Sequence, residues 1–130
     1  ESLVQQLHVQ RKVASMQVLG IGETQTARSR GLATIVIQSI VDSSQRITLT
    51  AHILRKLTSK IPPMHLCTTE LDGKLRNLPL ADPQFFKSES INIILGADHY
   101  PQIILDQLIK VNSNQLVAQL TIFGWVISGK

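Results

Sequence analysis

Five aspartates have the residue type that could activate a water molecule for hydrolysis. Two aspartates do this when they meet and share one proton. In one class of hydrolases that uses such a pair, each aspartate lies on a tight turn and is followed by Ser or Thr and then Gly. The five and their neighbours are Asp42-Ser43-Ser44, Asp72-Gly73-Lys74, Asp82-Pro83, Asp98-His99 and Asp106-Gln107. None has the required neighbours. Asp42 comes nearest to this pattern, but Asp and the serines that follow it are ordinary turn formers.

The other reactive side chains lack the spacing of a known kind of site. The histidines and the single cysteine, Cys67, show no CxxC or HExxH pattern, and His65 is the only ligand close to Cys67. A nucleophilic Cys67 would need a histidine partner that only the fold could supply, so a structural or exposed thiol is the simpler interpretation. Gly20-Ile21-Gly22 has neither a third glycine nor a lysine after it. We therefore predict no catalytic residue, no metal site and no cofactor.

Length and composition indicate one globular domain, which we predict over residues 1–130, the whole chain, at 43% hydrophobic content. A net charge of +4 would suit a nucleic-acid partner, but aromatic residues make up 4% of the chain and offer no stacking platform. The basic residues are scattered in twos: Arg11-Lys12, Arg28 with Arg30, Arg55-Lys56, and Lys74 with Arg76. This pattern disfavours nucleic-acid binding.

The single cysteine excludes an internal disulfide and favours a reducing compartment. No apolar run approaches the roughly 20 residues of a membrane span, and the first residues show no signal-peptide pattern. We therefore expect an intracellular, cytoplasmic chain with no membrane partner. The chain begins at Glu1 rather than at Met and ends just after an apolar run, which indicates a piece of something longer.

The apolar pattern of the first half predicts a short helix over residues 2–9 and then mostly strands. A strand over residues 13–19 leads into GIGETQTARSRG, whose glycines and small polar residues are typical of a mobile loop tip, a candidate lid. LATIVIQSIV and RITLTAHIL predict a hairpin joined at residues 42–45. Its second arm alternates apolar and polar residues and should have one exposed face. The first arm is apolar on both faces and should lie deeper.

The stretch INIILGADHYPQIILDQLIK predicts a strand, a glycine turn and a helix. Residues 91–95 form an apolar run too short for a helix, which indicates a strand buried on both faces. Apolar residues in the segment 104–109 recur at i and i+4, which is helical spacing. Asp98 is a good N-cap, and Pro101 is tolerated in a first turn. We therefore predict a helix that ends at Lys110.

Residues 58–90 are predicted to be a long, irregular insertion, because prolines and glycines interrupt the pattern. Leu78, Leu80, Phe85 and Phe86 are its candidate anchors. The final stretch, QLVAQLTIFGWVISG, predicts one or two strands interrupted at Gly124.

Three segments, LPLADPQFF, INIILGADHY and the terminal TIFGWVISG, together resemble the retropepsin-like aspartic peptidase domain in the polyproteins of Bel/Pao-type LTR retrotransposons. The resemblance covers the whole chain, from ESLVQQL through VLGIG to GWVISG. Many unrelated proteins share a Leu-Gly-x-Asp turn. The three segments in the right order are what make the match specific.

The resemblance implies a retropepsin-like β-barrel with a short N-terminal helix and one helix after the Leu-Gly-Ala-Asp turn. Gly20, Ile21 and Gly22 would form the tip of a flap that binds substrate. The floor of the active site would be Ile94-Leu95-Gly96. Such enzymes cleave peptide bonds with a water molecule activated between two aspartates, one from each of two paired chains. The implied partners are a peptide or polyprotein substrate and a second copy of the chain.

The chain departs from the family at its start. In the family the Asp-Ser/Thr-Gly motif lies shortly before the helix that ESLVQQL resembles, and this chain begins at Glu1, after that point. We therefore expect an aspartic-endopeptidase-type domain of a retrotransposon polyprotein, truncated at its N-terminus and inactive as this chain. The alternative is a non-catalytic module, derived from a retroelement, that keeps the fold for dimerisation or peptide binding.

Overall fold

A computed structural model describes residues 1–20, 22–23, 25–65, 75, 77–111 and 116–129. Contacts within the chain group it into two compact units. The first contains residues 1–37, 47–59 and 91–94, and the second contains residues 38–46, 60–90 and 95–130. Seven strands in three small sheets and a few short helical turns make the described part mostly β, which confirms that part of the predicted fold class. The single domain predicted from the sequence stays a prediction.

The first unit begins with helix α1 (Ser2–Gln6), which is shorter than predicted. Strand β1 (Gln17–Leu19) pairs antiparallel with β2 (Gln25–Arg28) around the glycine loop. Strands β3 (Leu32–Gln38) and β4 (Arg46–His52) form the predicted hairpin, and its turn belongs to the second unit.

The burial of β4 follows the predicted alternation. Strand β3 does not lie deeper than β4, contrary to the prediction. In β4 Leu49 is 4% exposed, whereas the neighbouring Thr48 and Thr50 are exposed. Ala33 in β3 is 3% exposed, but Val36 on the opposite face is 61% exposed. The first arm is therefore apolar on both faces and buried on one, since a two-stranded sheet needs a further layer to cover its second face.

The second unit is built on a three-stranded antiparallel sheet in the order β5 (Ile104–Val111), β6 (Leu116–Thr121) and β7 (Gly124–Gly129). Strands β6 and β7 are the two strands predicted for the end of the chain, and they are interrupted just before Gly124 as expected.

The core of the second unit consists of Leu75, Ala118 and Trp125, which are 1%, 0% and 8% exposed. Leu78 and Leu80, two of the candidate anchors of the 58–90 segment, pack against this core. The backbone of residues 79–81 extends the sheet, because the N–H of Trp125 donates to the carbonyl of residue 79 and its own carbonyl accepts from the N–H of residue 81, both at 2.9 Å. The other candidate anchors, Phe85 and Phe86, are half-buried and contact each other edge to face.

The helix predicted from Asp98 to Lys110 is wrong for most of its length. Helix α2 covers only Tyr100–Ile103, and β5 begins at Ile104. The N-cap residue of α2 is His99 rather than Asp98, and no side chain caps the helix. The predicted capping role of Asp98 is therefore also wrong.

The apolar spacing that indicated a helix also fits a strand. Residues four positions apart, such as Ile104 and Leu108, share a face in a strand as well as in a helix. Strand β5 also contains a bulge: Ile104 lies opposite Thr121 and Leu108 lies opposite Gln119, so β5 has two more residues than β6 between these pairs. The Nε2 atom of Gln119 donates to the carbonyls of residues 105 and 107, at 2.8 and 3.0 Å, and so satisfies the backbone of the bulge.

The strand predicted at residues 91–95 is wrong as well. The segment is irregular, with no strand pairing among the described residues, and Ile94 is 63% exposed. An apolar run buried on both faces needs strands on either side, and none in the described part of the chain pairs with this one.

Candidate functional site

The tip of the β1–β2 hairpin is the loop predicted to be a flap. Gly20 and Gly22 lie between the two strands, and the N–H of Glu23 donates to the carbonyl of Gly20 at 3.1 Å. Gly22 has a φ of +83°, and a Cβ there would have no neighbour within 4 Å, so the backbone at the tip is open to a ligand. Ile21, the middle residue of the predicted tip, lies outside the described residues. Leu19, at the end of β1, is 57% exposed beside the tip.

The predicted floor residues, Ile94, Leu95 and Gly96, are consecutive in the irregular segment before α2. Ile94 belongs to the first unit, as do Gly20 and Gly22 of the flap, and Leu95 and Gly96 belong to the second. The carbonyl of Gly96 accepts the N–H three residues on, at 3.1 Å, which makes a turn. A Cβ on Gly96 would lie 2.5 Å from an Asp98 carboxylate oxygen, which is the end of an exposed side chain and can rotate away.

The described aspartates lie in turns or on exposed strands. Asp42 lies in the β3–β4 turn, where it accepts a hydroxyl and a backbone N–H from the residue two positions on, at 2.7 and 3.0 Å. Asp82 accepts a backbone N–H at 2.8 Å in another turn. The Asp98 side chain is 76% exposed, and Asp106 is exposed on β5. Asp72 lies outside the described residues. The turn role predicted for Asp42 is therefore confirmed, and it accounts for that residue without any catalytic role.

The turn at Asp42 allows a direct test by titration. The hydroxyl and N–H of Ser44 hold the pKa of Asp42 below its ordinary value. Ionised Asp42 therefore stabilises the fold at pH values above the unfolded pKa of about 3.9, and this contribution is lost as the pH falls through the lower folded pKa. We expect Ser44→Ala to raise the pKa of Asp42 toward its ordinary value and Ser43→Ala to leave it unchanged, as measured by carboxyl NMR titration. Equal shifts in the two variants would contradict the assigned hydrogen bonds.

A pair of reactive side chains that sequence spacing could not reveal occurs in the first unit. The Nδ1 atom of His52 lies 3.2 Å from the hydroxyl of Ser29, 23 residues earlier in the chain. The Ser29 side chain is buried, and its hydroxyl donates to the carbonyl of Gly31 at 2.9 Å. The hydroxyl has one proton and lies within hydrogen-bond distance of both the Gly31 carbonyl and His52, so the donor in the His52 contact depends on the imidazole tautomer. The bonds to Gly31 hold the turn before β3.

His99 and Asp98 form a close contact between an imidazole and a carboxylate. Nε2 of His99 lies 3.5 Å from the Asp98 carboxylate, which is largely solvated. Nδ1 of His99 is buried and has no hydrogen-bond partner among the described residues. This is a surface contact rather than a shielded acid–base pair, because water screens the carboxylate.

Metal sites and membrane-spanning helices are two further features to consider in the described ranges. The described residues contain no group of three His, Cys, Asp or Glu side chains close enough to hold a metal ion. None of the helices in the described ranges has the length and apolar character that crossing a membrane requires. Comparison of the chain with protein-family models, curated proteins and solved structures found no match.

Proposed function

We propose that the chain is the greater part of a retropepsin-like aspartic endopeptidase domain from a Bel/Pao-type retrotransposon polyprotein, incomplete and inactive as this chain. The observation that carries the proposal is the β1–β2 hairpin with its open glycine tip. It follows a short helix and precedes the long β3–β4 hairpin, which is the order that the resemblance implies for a flap. The turn at Gly96, the short helix α2 and the C-terminal strands then follow in the implied order.

In this proposal the chain contributes the substrate-binding parts of the site. The open backbone at Gly22 would hydrogen-bond a peptide in extended conformation, and the flap would close over it. The reaction would use a water molecule held between two aspartates, one from each of two paired chains, to attack the peptide carbonyl. Those aspartates would come from an Asp-Ser/Thr-Gly motif that precedes Glu1 in a longer polypeptide.

The experiment compares this chain with a longer polypeptide that includes the sequence encoded upstream of Glu1. We expect pepstatin-sensitive cleavage of polyprotein-derived peptides by the longer form and only background cleavage by this chain. An Asp→Asn change in the upstream motif should lower the rate at least about 100-fold, as expected for loss of an acid–base group. Asp42→Asn and Asp98→Asn in the longer form are the matched controls and should leave the rate unchanged. Pepstatin-sensitive cleavage by this chain alone would contradict the proposal.

A second candidate function is a non-catalytic module that binds a peptide or a second copy of itself. The observation in its favour is the run of exposed apolar side chains on and before β1, where Val13, Met16 and Leu19 are 103%, 40% and 57% exposed. A contiguous exposed apolar patch is typical of interaction surfaces, and these three side chains come from one segment of seven residues. An upstream sequence without Asp-Ser/Thr-Gly, together with peptide binding and no cleavage, would favour the module.

A further inference from the structure

The net positive charge of the chain lies entirely in the first unit. That unit contains six Lys and Arg residues and two Glu residues, which leaves a charge of +4, the same as that of the whole chain. The second unit contains seven basic and seven acidic residues and is neutral overall. All five aromatic residues belong to the second unit.

The fold brings together basic residues that are scattered in the sequence. Lys12 forms a two-bond bridge with Leu32, with both N–H···O distances at 2.9 Å, so the Arg11-Lys12 pair lies beside the start of β3. The N–H of Arg30 donates to the carbonyl of Ile53 at 2.8 Å, which places Arg30 beside the end of β4. Residues that exchange two such bonds, as Lys12 and Leu32 do, have Cα atoms about 5.5 Å apart. Residues from three of the four basic pairs in the sequence therefore lie at one end of the first unit.

Glu1 forms hydrogen bonds to three residues at this end of the unit. Its carboxylate accepts hydrogen bonds from Arg30 at 3.0 Å and from Arg11 at 3.4 Å, and its amino group donates to the carbonyl of Leu54 at 2.9 Å. Burial raises the pKa of the Glu1 carboxyl, but the hydrogen bonds and charges of Arg30 and Arg11 outweigh this and hold the pKa below its ordinary value. Leu54 is followed directly by Arg55 and Lys56.

We call the resulting surface the basic end, which consists of Arg11, Lys12, Arg30, Arg55 and Lys56. All five residues are exposed. Glu1, the acidic residue bonded to this surface, offsets one of the five charges, so the surface carries four net positive charges. The other acidic residue of the first unit, Glu23, lies in the β1–β2 loop.

We propose that the basic end binds the phosphate backbone of a nucleic-acid duplex, without base preference. Three of its residues are arginines, whose planar donor fork matches the geometry of phosphate oxygens. The unit has no Phe, Tyr or Trp side chain on which an unpaired base could stack. The basic end therefore contacts the charged phosphates rather than the bases. A duplex offers the denser row of phosphates, and we expect it to bind more tightly than a single strand of the same length.

The test measures binding of a fluorescein-labelled DNA duplex of mixed sequence by fluorescence anisotropy between about 50 and 200 mM salt, the range over which phosphate contacts change affinity most. We expect R55E/K56E to weaken binding at least about 10-fold and to lower the slope of log K against log salt by about 2, the loss of two phosphate contacts. The matched control is R46E/K110E, which changes the same residue types and the same charge at exposed positions of the second unit. It should stay within about threefold of the unchanged chain, because neither residue belongs to the basic end.

Circular dichroism confirms that both double variants fold before binding is compared. Equal weakening by the two variants would overturn the proposal, because the net charge of the chain would then explain the binding. Binding that does not change with salt, or no duplex binding at the lowest salt, would overturn it as well. So would equal or tighter binding of polyglutamate or of phosphatidylserine vesicles, which would assign the basic end to an acidic protein or to a membrane surface.

Discussion

We expect Gly124→Ala to lower the free energy of unfolding by about 4 kcal/mol, the sum of backbone strain and overpacking. Gly124 has a φ of +117°, a conformation that L side chains rarely adopt. A Cβ at this position would lie 2.7 Å from the carbonyl oxygen of Pro79 and 2.9 Å from the backbone nitrogen of Ala81. Both are backbone atoms in the segment that pairs with β7, so neither can move aside as a flexible side chain can. Urea unfolding followed by far-UV circular dichroism measures the loss.

Gly22→Ala is the matched control for that measurement. Gly22 also has a positive φ, +83°, but a Cβ there would meet no atom within 4 Å. Its cost is therefore strain alone, about 1 to 2 kcal/mol. Equal losses in the two variants would contradict the steric argument and would leave backbone conformation as the full explanation for Gly124.

The sequence was informative where a single period ran through a whole element. The alternation of β4 predicted both its strand and its buried face, because each residue of an unbroken strand points opposite to its neighbour. Gly22 helped to predict a loop tip for a similar reason, since glycine tolerates the positive φ that it adopts in this turn. Both features depend on local geometry alone.

The sequence was misleading where the spacing of apolar residues fits both a strand and a helix. In β5 apolar residues recur at i and i+4, and residues at this spacing share a face in either element. The bulge between Ile104 and Leu108 is defined by its pairing with β6. The β-branched residues at both ends of the segment, Ile104 and Val111, were the signal that favoured a strand. The N-cap assignment of Asp98 was wrong for the same reason, because it assumed a helix long enough to need a cap.

The spacing of basic residues along the chain could not predict the basic end. Arg11, Arg30 and Arg55 are separated by 19 and 25 positions, and each pair taken alone is typical of a solvated surface. Their proximity depends on the bridge at Lys12 and on the bond between Arg30 and Ile53. Such pairings between distant segments are set by the fold, so a pattern along the chain could not predict them.

We expect Trp125→Ala to be the other severe substitution, with a loss of about 3 to 5 kcal/mol in the free energy of unfolding. Trp125 is 8% exposed in the core cluster with Leu75 and Ala118. Removal of the indole leaves a cavity that these side chains cannot fill without a backbone shift. Because Trp125 is the only tryptophan, the unfolding must be followed by far-UV circular dichroism rather than by fluorescence.

Val126→Ala is the matched control, since Val126 is the next residue of β7, on the opposite face, and is 45% exposed. Both variants keep the backbone bonds of β7 to Pro79 and Ala81, so the difference between them reports the side chains alone. Val126→Ala should cost less than about 1 kcal/mol, and Trp125→Phe should fall between the two alanine variants. A greater loss for Val126→Ala than for Trp125→Ala would mean that β7 buries its other face. A slip of one residue in the β6–β7 register would do this, because it exchanges the faces of every side chain in the strand.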